Sequence, residues 1–206
     1  MGLIKRPATA PSSTEQRTQP RDFNGLCNAL QDASPQVRRW AARDLATLHH
    51  ASEALAARLP RETDTSVREA LLQGLGHCAD ATAIAGLVQC LRSEDAALRN
   101  EAIDVMKTLP AVGEVMVPLL HDPDPDLRIF AVNILESLRH ESVERWLIDV
   151  ITQDPHVNVC ATAVDLLGEV GTQAAVEPLK ALQARFPDEP FIAFAASLAL
   201  RRITGG

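Results

Sequence analysis

The sequence predicts an all-α protein, a right-handed α-solenoid of about six stacked helical hairpins. Two observations carry this expectation. A phrase reading Asp-x-x-Pro-x-Val-Arg, followed by apolar residues, recurs along the chain. Its aligned anchors Val37, Val67, Leu98, Leu127, Val159 and Ile192 are spaced by 30, 31, 29, 32 and 33 residues. A fixed period in this range marks an array of stacked supersecondary units. After the anchors, apolar residues recur at +4, +5, +8 and +11, as in Ala41, Ala42, Leu45 and Leu48 or Ala131, Val132, Leu135 and Leu138, with Ser197 the exception at +5 of the last unit. That spacing draws one stripe along an α-helix. No alternation of apolar and polar residues competes, so no sheet is expected.

The elements follow in chain order. Residues 1–21 hold the Pro-, Ser- and Thr-rich run PATAPSSTEQRTQPR and have little to bury, which predicts a disordered basic tail. Residues 22–206 form the array, with units near 22–49, 50–79, 80–110, 111–140, 141–171 and 172–206. The second helix of each unit is carried by the phrases opening at Asp32, Glu62, Ser93, Asp122, Asp154 and Pro187. Pro at +3 suits a first helical turn, where its missing N–H costs nothing. Shorter apolar segments before the turns, such as AIAGLVQCL (83–91), VERWLIDVI (143–151) and VEPLKALQA (176–184), supply the first helix. Trp146 follows this first-helix stripe with Val143, Leu147 and Val150 and is expected in the core. The glycines of GLGHC (74–78) and LGEVG (167–171) read as helix-ending or close-packing positions. No unit can bury its stripe alone, and stacking six of them makes one core.

Composition narrows the function classes. The chain of 206 residues has five Phe, two Trp and no Tyr, and a net charge of −7. Residues 1–21 carry +3, which leaves −10 for the rest. An acidic body does not suit the phosphates of nucleic acid. No apolar run approaches the roughly 20 residues that span a bilayer. Cys27, Cys78, Cys90 and Cys160 form no CxxC pair and read as buried thiols of a reducing, cytoplasmic compartment. No secretory signal opens the chain, and Arg6 stands where an N-myristoylation signal wants Ser or Thr. Met1–Arg6 could serve as a small docking peptide for a partner. GxSxG, P-loop and GxGxxG motifs are absent from the sequence.

The phrase D-x-x-P-x-V-R-x-x-A, with partner helices such as AAVEPLKAL (174–182), resembles HEAT repeats, in particular the short bacterial E–Z-type, phycobilisome-lyase-like repeats. The resemblance covers residues 22–204. It implies a ladder in which the turn acid and the helix arginine of successive units hydrogen-bond along the array. The arginines are Arg38, Arg68, Arg99 and Arg128, replaced by Cys160 and Ala193 in the last two units. The turn acids are Asp32, Glu62, Asp122 and Asp154, with Glu94 or Asp95 in unit three. The ladder is expected to run through four units and to lapse at the C-terminal end.

The family also contains enzymes. A di-iron site like that of deoxyhypusine hydroxylases needs several His-Glu pairs, and this chain has one, His140-Glu141. HEAT-like alkylpurine DNA glycosylases need a basic face. Bilin lyases share the repeat unit, and Arg39, Trp40 and Arg43 with His77 could meet part of a tetrapyrrole's needs. A chromophore-handling, lyase-like subunit is therefore the alternative reading.

In the first reading, the second helices line the concave face and bind another protein there. Residues off the apolar stripe should face that groove. These are Arg39, Trp40 and Arg43 in unit one; Gln73 and His77 in unit two; Asn100, Glu101 and Asp104 in unit three; Ile129, Phe130 and Asn133 in unit four; Asp165 in unit five; and Phe194 in unit six. Exposed aromatics in a groove anchor recognition. The expected function is a non-catalytic scaffold, adaptor or assembly factor with a protein partner and no cofactor, metal, nucleic acid or membrane.

Overall fold

The computed structural model of the chain describes residues 20–205. The expected tail and its Met1–Arg6 peptide lie outside the described residues, apart from Pro20 and Arg21. Arg21 pairs with Asp44 at 3.1 Å.

Twelve α-helices and no strands are present among the described residues. They fall into six successive pairs. The first helices are α1 (Phe23–Ala29), α3 (Ser52–Arg58), α5 (Ala81–Cys90), α7 (Gly113–Leu120), α9 (Val143–Gln153) and α11 (Val176–Arg185). The second helices are α2 (Pro35–Leu45), α4 (Thr65–Cys78), α6 (Ala96–Met106), α8 (Pro125–Leu135), α10 (Val157–Val170) and α12 (Pro190–Thr204). Several starts have a local cause. Pro35, Pro125 and Pro190 occupy the first turns of α2, α8 and α12. Asp64 caps α4 by accepting from the backbone N–H groups of Ser66 and Val67 at 3.0 and 3.2 Å. Asp95 and Asp124 do the same for α6 and α8. An acidic cap satisfies otherwise orphaned N–H groups and complements the helix dipole.

The second helices pack in an unbroken row from α2 to α12. The first helices pack α3 on α5, α7 on α9 and α9 on α11, whereas α1 and α3, and α5 and α7, barely touch. One apolar cluster runs from Leu26 to Ala199 through every unit. Small residues set the spacing of the layers. A Cβ on Gly86 would sit 2.7 Å from Ala56 Cβ, so glycine is what lets α5 lie against α3. Gly74 is likewise a packing position, inside α4 against Leu55 and Ala46. The left-handed residue that ends α4 is Ala79, at φ 50°. Trp146 is 6% exposed, and its indole stacks on His140 with centroids 4.6 Å apart.

Candidate interaction face and the charge ladder

Two ladder rungs share one geometry. Arg38 donates through Nε and Nη2 to Glu62 at 2.7 and 2.8 Å, while its Nη1 reaches the Asp32 and Ala33 carbonyls. Arg128 repeats this on Asp154 at 2.6 and 3.0 Å and on the Asp122 and Pro123 carbonyls. Each guanidinium thus ties its own turn to the carboxylate of the next unit. Fork-to-fork pairing of this kind satisfies a buried charge on several sides at once. Glu62 also accepts from Arg58 at 2.8 Å and from the Thr63 and Asp64 N–H groups. Burial alone would raise its carboxyl pKa, but the bonds from Arg38, the Asp64 N–H and Arg58 outweigh burial and hold it at about 2. The same carboxylates raise the pKa of Arg38 and Arg128, against burial.

The ladder does not run evenly through four units. Arg68 reaches Asp95 at 2.5 Å, and its Nε lies 3.2 Å from Glu101 without the alignment of a hydrogen bond. The next rung is diverted. Arg99 donates to its own turn at the Ser93 carbonyl, and its guanidinium lies 5.7 Å from the centre of the Phe130 ring. The Asp122 carboxylate is taken instead by Arg92 at 2.5 Å. Lys107 and Glu136 bridge the same joint at 2.6 Å. This is also the joint where α5 and α7 barely touch.

The C-terminal end does not simply lapse. Cys160 stands at the arginine position of unit five, and Arg185, from α11, supplies the guanidinium from the next unit. It donates to the carbonyls of Thr152 and Asp154, the latter at 2.8 Å, and approaches Cys160 Sγ at 3.0 Å. The sequence signal for this was present: replacing the arginine by Cys160 left the turn carbonyls in need of a donor. Burial raises the Cys160 thiol pKa, with Arg185 pulling the other way.

Twelve of the residues expected in the groove divide into three groups, and Phe194 stands apart. Arg43, Gln73, His77, Asn100, Asp104 and Asp165 are exposed on the second helices. Gln73 donates to Glu69 at 3.1 Å. Arg39, Trp40 and Asn133 are half-buried, and Arg39 Nε is buried without a hydrogen-bond partner. Ile129 and Phe130 are half-buried and pack on the core, and Glu101 is engaged by Arg68 of the preceding unit, so these three stand partly withdrawn. Phe194 is 64% exposed. It has the same offset from its anchor as Ala161 of unit five, which is buried at 8%. No helix lies over Phe194 among the described residues.

Asn133 and Asp165 come together. With Val132, Glu136, Thr162, Leu166 and Glu169 they line a cavity of about 230 Å³ between α8 and α10. A larger cavity, of about 430 Å³, was not foreseen. It lies between α7 and α9, with Val117, Trp146 and Val150 on its walls and the Arg128–Asp154 pair at one side. Nothing in the residue pattern signals it, because it depends on how far apart two neighbouring first helices sit. His140 accepts from the Ser142 N–H at 3.1 Å and stacks on Trp146. No group of three or more His, Cys, Asp or Glu is placed to hold a metal ion among the described residues. No described helix is long and apolar enough to cross a membrane.

Comparison with known proteins agrees with this architecture. No curated protein matches the sequence. The TOG3 domain of Drosophila melanogaster Mini spindles is similar in structure, at 19% identity over 88% of this chain and 94% of that one, with a TM-score of 0.55. An archaeal HEAT-like repeat protein from Thermococcus onnurineus NA1 is 18% identical over 88% and 87%, with a TM-score of 0.48. The CpcE–CpcF complex of phycocyanin lyase from Nostoc sp. PCC7120 is 18% identical over 98% and 100%, with a TM-score of 0.37. The profile of HEAT repeats matches residues 23–107 and 113–201, dividing at the joint where the ladder is diverted. With most of its length matched, the chain belongs to the HEAT-repeat family.

Proposed function

We propose that the chain is a non-catalytic interaction scaffold or adaptor that binds another protein along its row of second helices. The observation that carries this reading is the sorting of charge along that row. Arg39 and Arg43 flank Trp40 in unit one, Glu69, Asp104, Asp165 and Glu169 are exposed in units two to five, and Arg201 and Arg202 are exposed at its far end. The cavity between α8 and α10 offers Asp165 and Glu169 to a cationic side chain. A partner segment with an acidic and apolar start, followed by basic residues, complements this order. Such charge complementarity sets orientation and association rate more than total affinity. The partner, the cytoplasmic setting and the absence of catalysis are parts of this proposal.

The test is affinity purification of the tagged chain from its native cells, with mass spectrometry and an absorption spectrum of the eluate. The charge reversals Arg43→Glu and Asp165→Lys, both at exposed positions, run in parallel. A near-stoichiometric protein lost in the double variant supports the proposal. A protein retained equally by the variant refutes the assigned face. A coloured eluate that tracks the chain would identify the competing class, a tetrapyrrole-handling subunit.

A further inference from the structure

The outer face of α12 carries an apolar stripe with nothing over it among the described residues. Phe191 and Phe194 are 58% and 64% exposed, and Leu198, half-buried, continues their line at i, i+3 and i+7. That is the spacing of a helix that packs on another helix. Exposed aromatics grouped on one face mark an interaction surface. Charge is sorted along the same helix. Asp188 and Glu189 are exposed just before its start, and Arg201 and Arg202 are exposed in its last turns. None of these four side chains has an ion-pair partner within the described residues.

We propose that this face pairs with α12 of a second copy of the chain, antiparallel, about a two-fold axis near Ala195. Residues related by such an axis then meet. Asp188 and Glu189 of one copy face Arg202 and Arg201 of the other, and the two Phe194 rings lie side by side. A closed, self-complementary interface of this kind needs only one surface patch. Antiparallel pairing also sets each helix's positive dipole end against the other's negative end.

The alternative, head-to-tail stacking of copies, is disfavoured by the ladder. The position that carries Arg38, Arg68 and Arg128 in earlier units is Ala193 in α12. A following copy would offer the Asp32 turn, and no guanidinium at that ladder position would reach it. The two-fold pairing uses α12, the last of the second helices, so Phe194, Leu198 and Arg202 share the C-terminal end of the interaction face proposed above, whereas Arg43 and Asp165, whose reversal tests that face, lie on other helices.

A single helix pair buries less than the roughly 1,200 Å² of a stable specific interface, so the association is weak. Sedimentation of the full chain is expected to show a reversible shift from the 22.3 kDa monomer to twice that mass, at protein concentrations on the order of 10–100 μM. Phe194→Asp should weaken it at least about tenfold. Arg201→Glu with Arg202→Glu should also weaken it, and adding Asp188→Arg and Glu189→Arg should restore it. Circular dichroism of each variant checks that the helices are retained. Under oxidising conditions Phe194→Cys should form a covalent dimer, because each Phe194 meets its own counterpart, whereas Arg202→Cys should not. A chain that stays monomeric throughout this range overturns the proposal. So does a dimer unaffected by Phe194→Asp, an open-ended series of larger species, or a charge swap that fails to restore association.

Discussion

Replacing Glu62 by Gln tests whether buried carboxylates hold successive units together. The Glu62 side chain is wholly buried and accepts from two arginines and two backbone N–H groups. Its pKa falls from an ordinary 4.5 to about 2. At 1.36 kcal/mol per pH unit, that drop corresponds to roughly 3 kcal/mol of stability. The contribution is complete above pH 4.5, where the unfolded carboxyl is also ionised, and is lost as the pH falls toward 2. At pH 3 less than half of it remains. The glutamine amide would also turn a donor toward groups that are already donors. Glu62→Gln should therefore cost about 3–4 kcal/mol at pH 7, within the range for breaking a buried pair. Urea unfolding followed by circular dichroism at pH 7 and pH 3 measures both chains. The gap between them should shrink by about half or more at pH 3. A gap below about 1 kcal/mol at pH 7, or one of equal size at both pH values, would refute the reasoning.

Other substitutions separate buried from exposed contacts. Arg128→Ala strands the buried Asp154 carboxylate and should cost about 3–5 kcal/mol, whereas Arg92→Ala, at a pair whose arginine side chain is 47% exposed, should cost less than about 1 kcal/mol; parallel urea titrations decide this. Ala79→Gly relieves a left-handed alanine at φ 50° and should stabilise by about 0.5–1 kcal/mol, read as a rise in Tm. Gly86→Ala should destabilise despite alanine's better helix propensity, because its Cβ meets Ala56, and the double change with Ala56→Gly should recover most of the loss in the same thermal assay. Cys90, 4% exposed and with its pKa pushed up to about 11 by burial, and Cys160, 0% exposed, should stay unmodified by a thiol reagent in the native chain; the half-buried Cys27 and Cys78 should react first. Mass spectrometry of the labelled peptides reports the order.

The sequence by itself determined the repeat. Anchor spacing, the stripe at +4, +5, +8 and +11, and the prolines and acidic caps at helix starts are local or periodic features. They specify helix pairs that must stack, because one pair leaves its apolar stripe in water. The types of the ladder residues were also legible, since an arginine one residue after each of the first four anchors recurs with the same period.

Which charge meets which was decided only in the folded array. Arg92, Arg99 and Lys107 all lie near the joint between units three and four, and the way the helices meet there assigns Asp122 to Arg92 and Arg99 to Phe130. Arg185 completes the unit-five turn from the next unit, at a sequence distance no local pattern reports. Exposure at the groove positions was likewise tertiary. Phe130 and Phe194 share the same residue type and similar offsets from their anchors. Phe130 is covered because it packs on the core beneath Arg99, and Phe194 is open because no further helix lies over α12 among the described residues. Periodicity gives a side chain's direction on its own helix. Burial depends on what the neighbouring unit places opposite it.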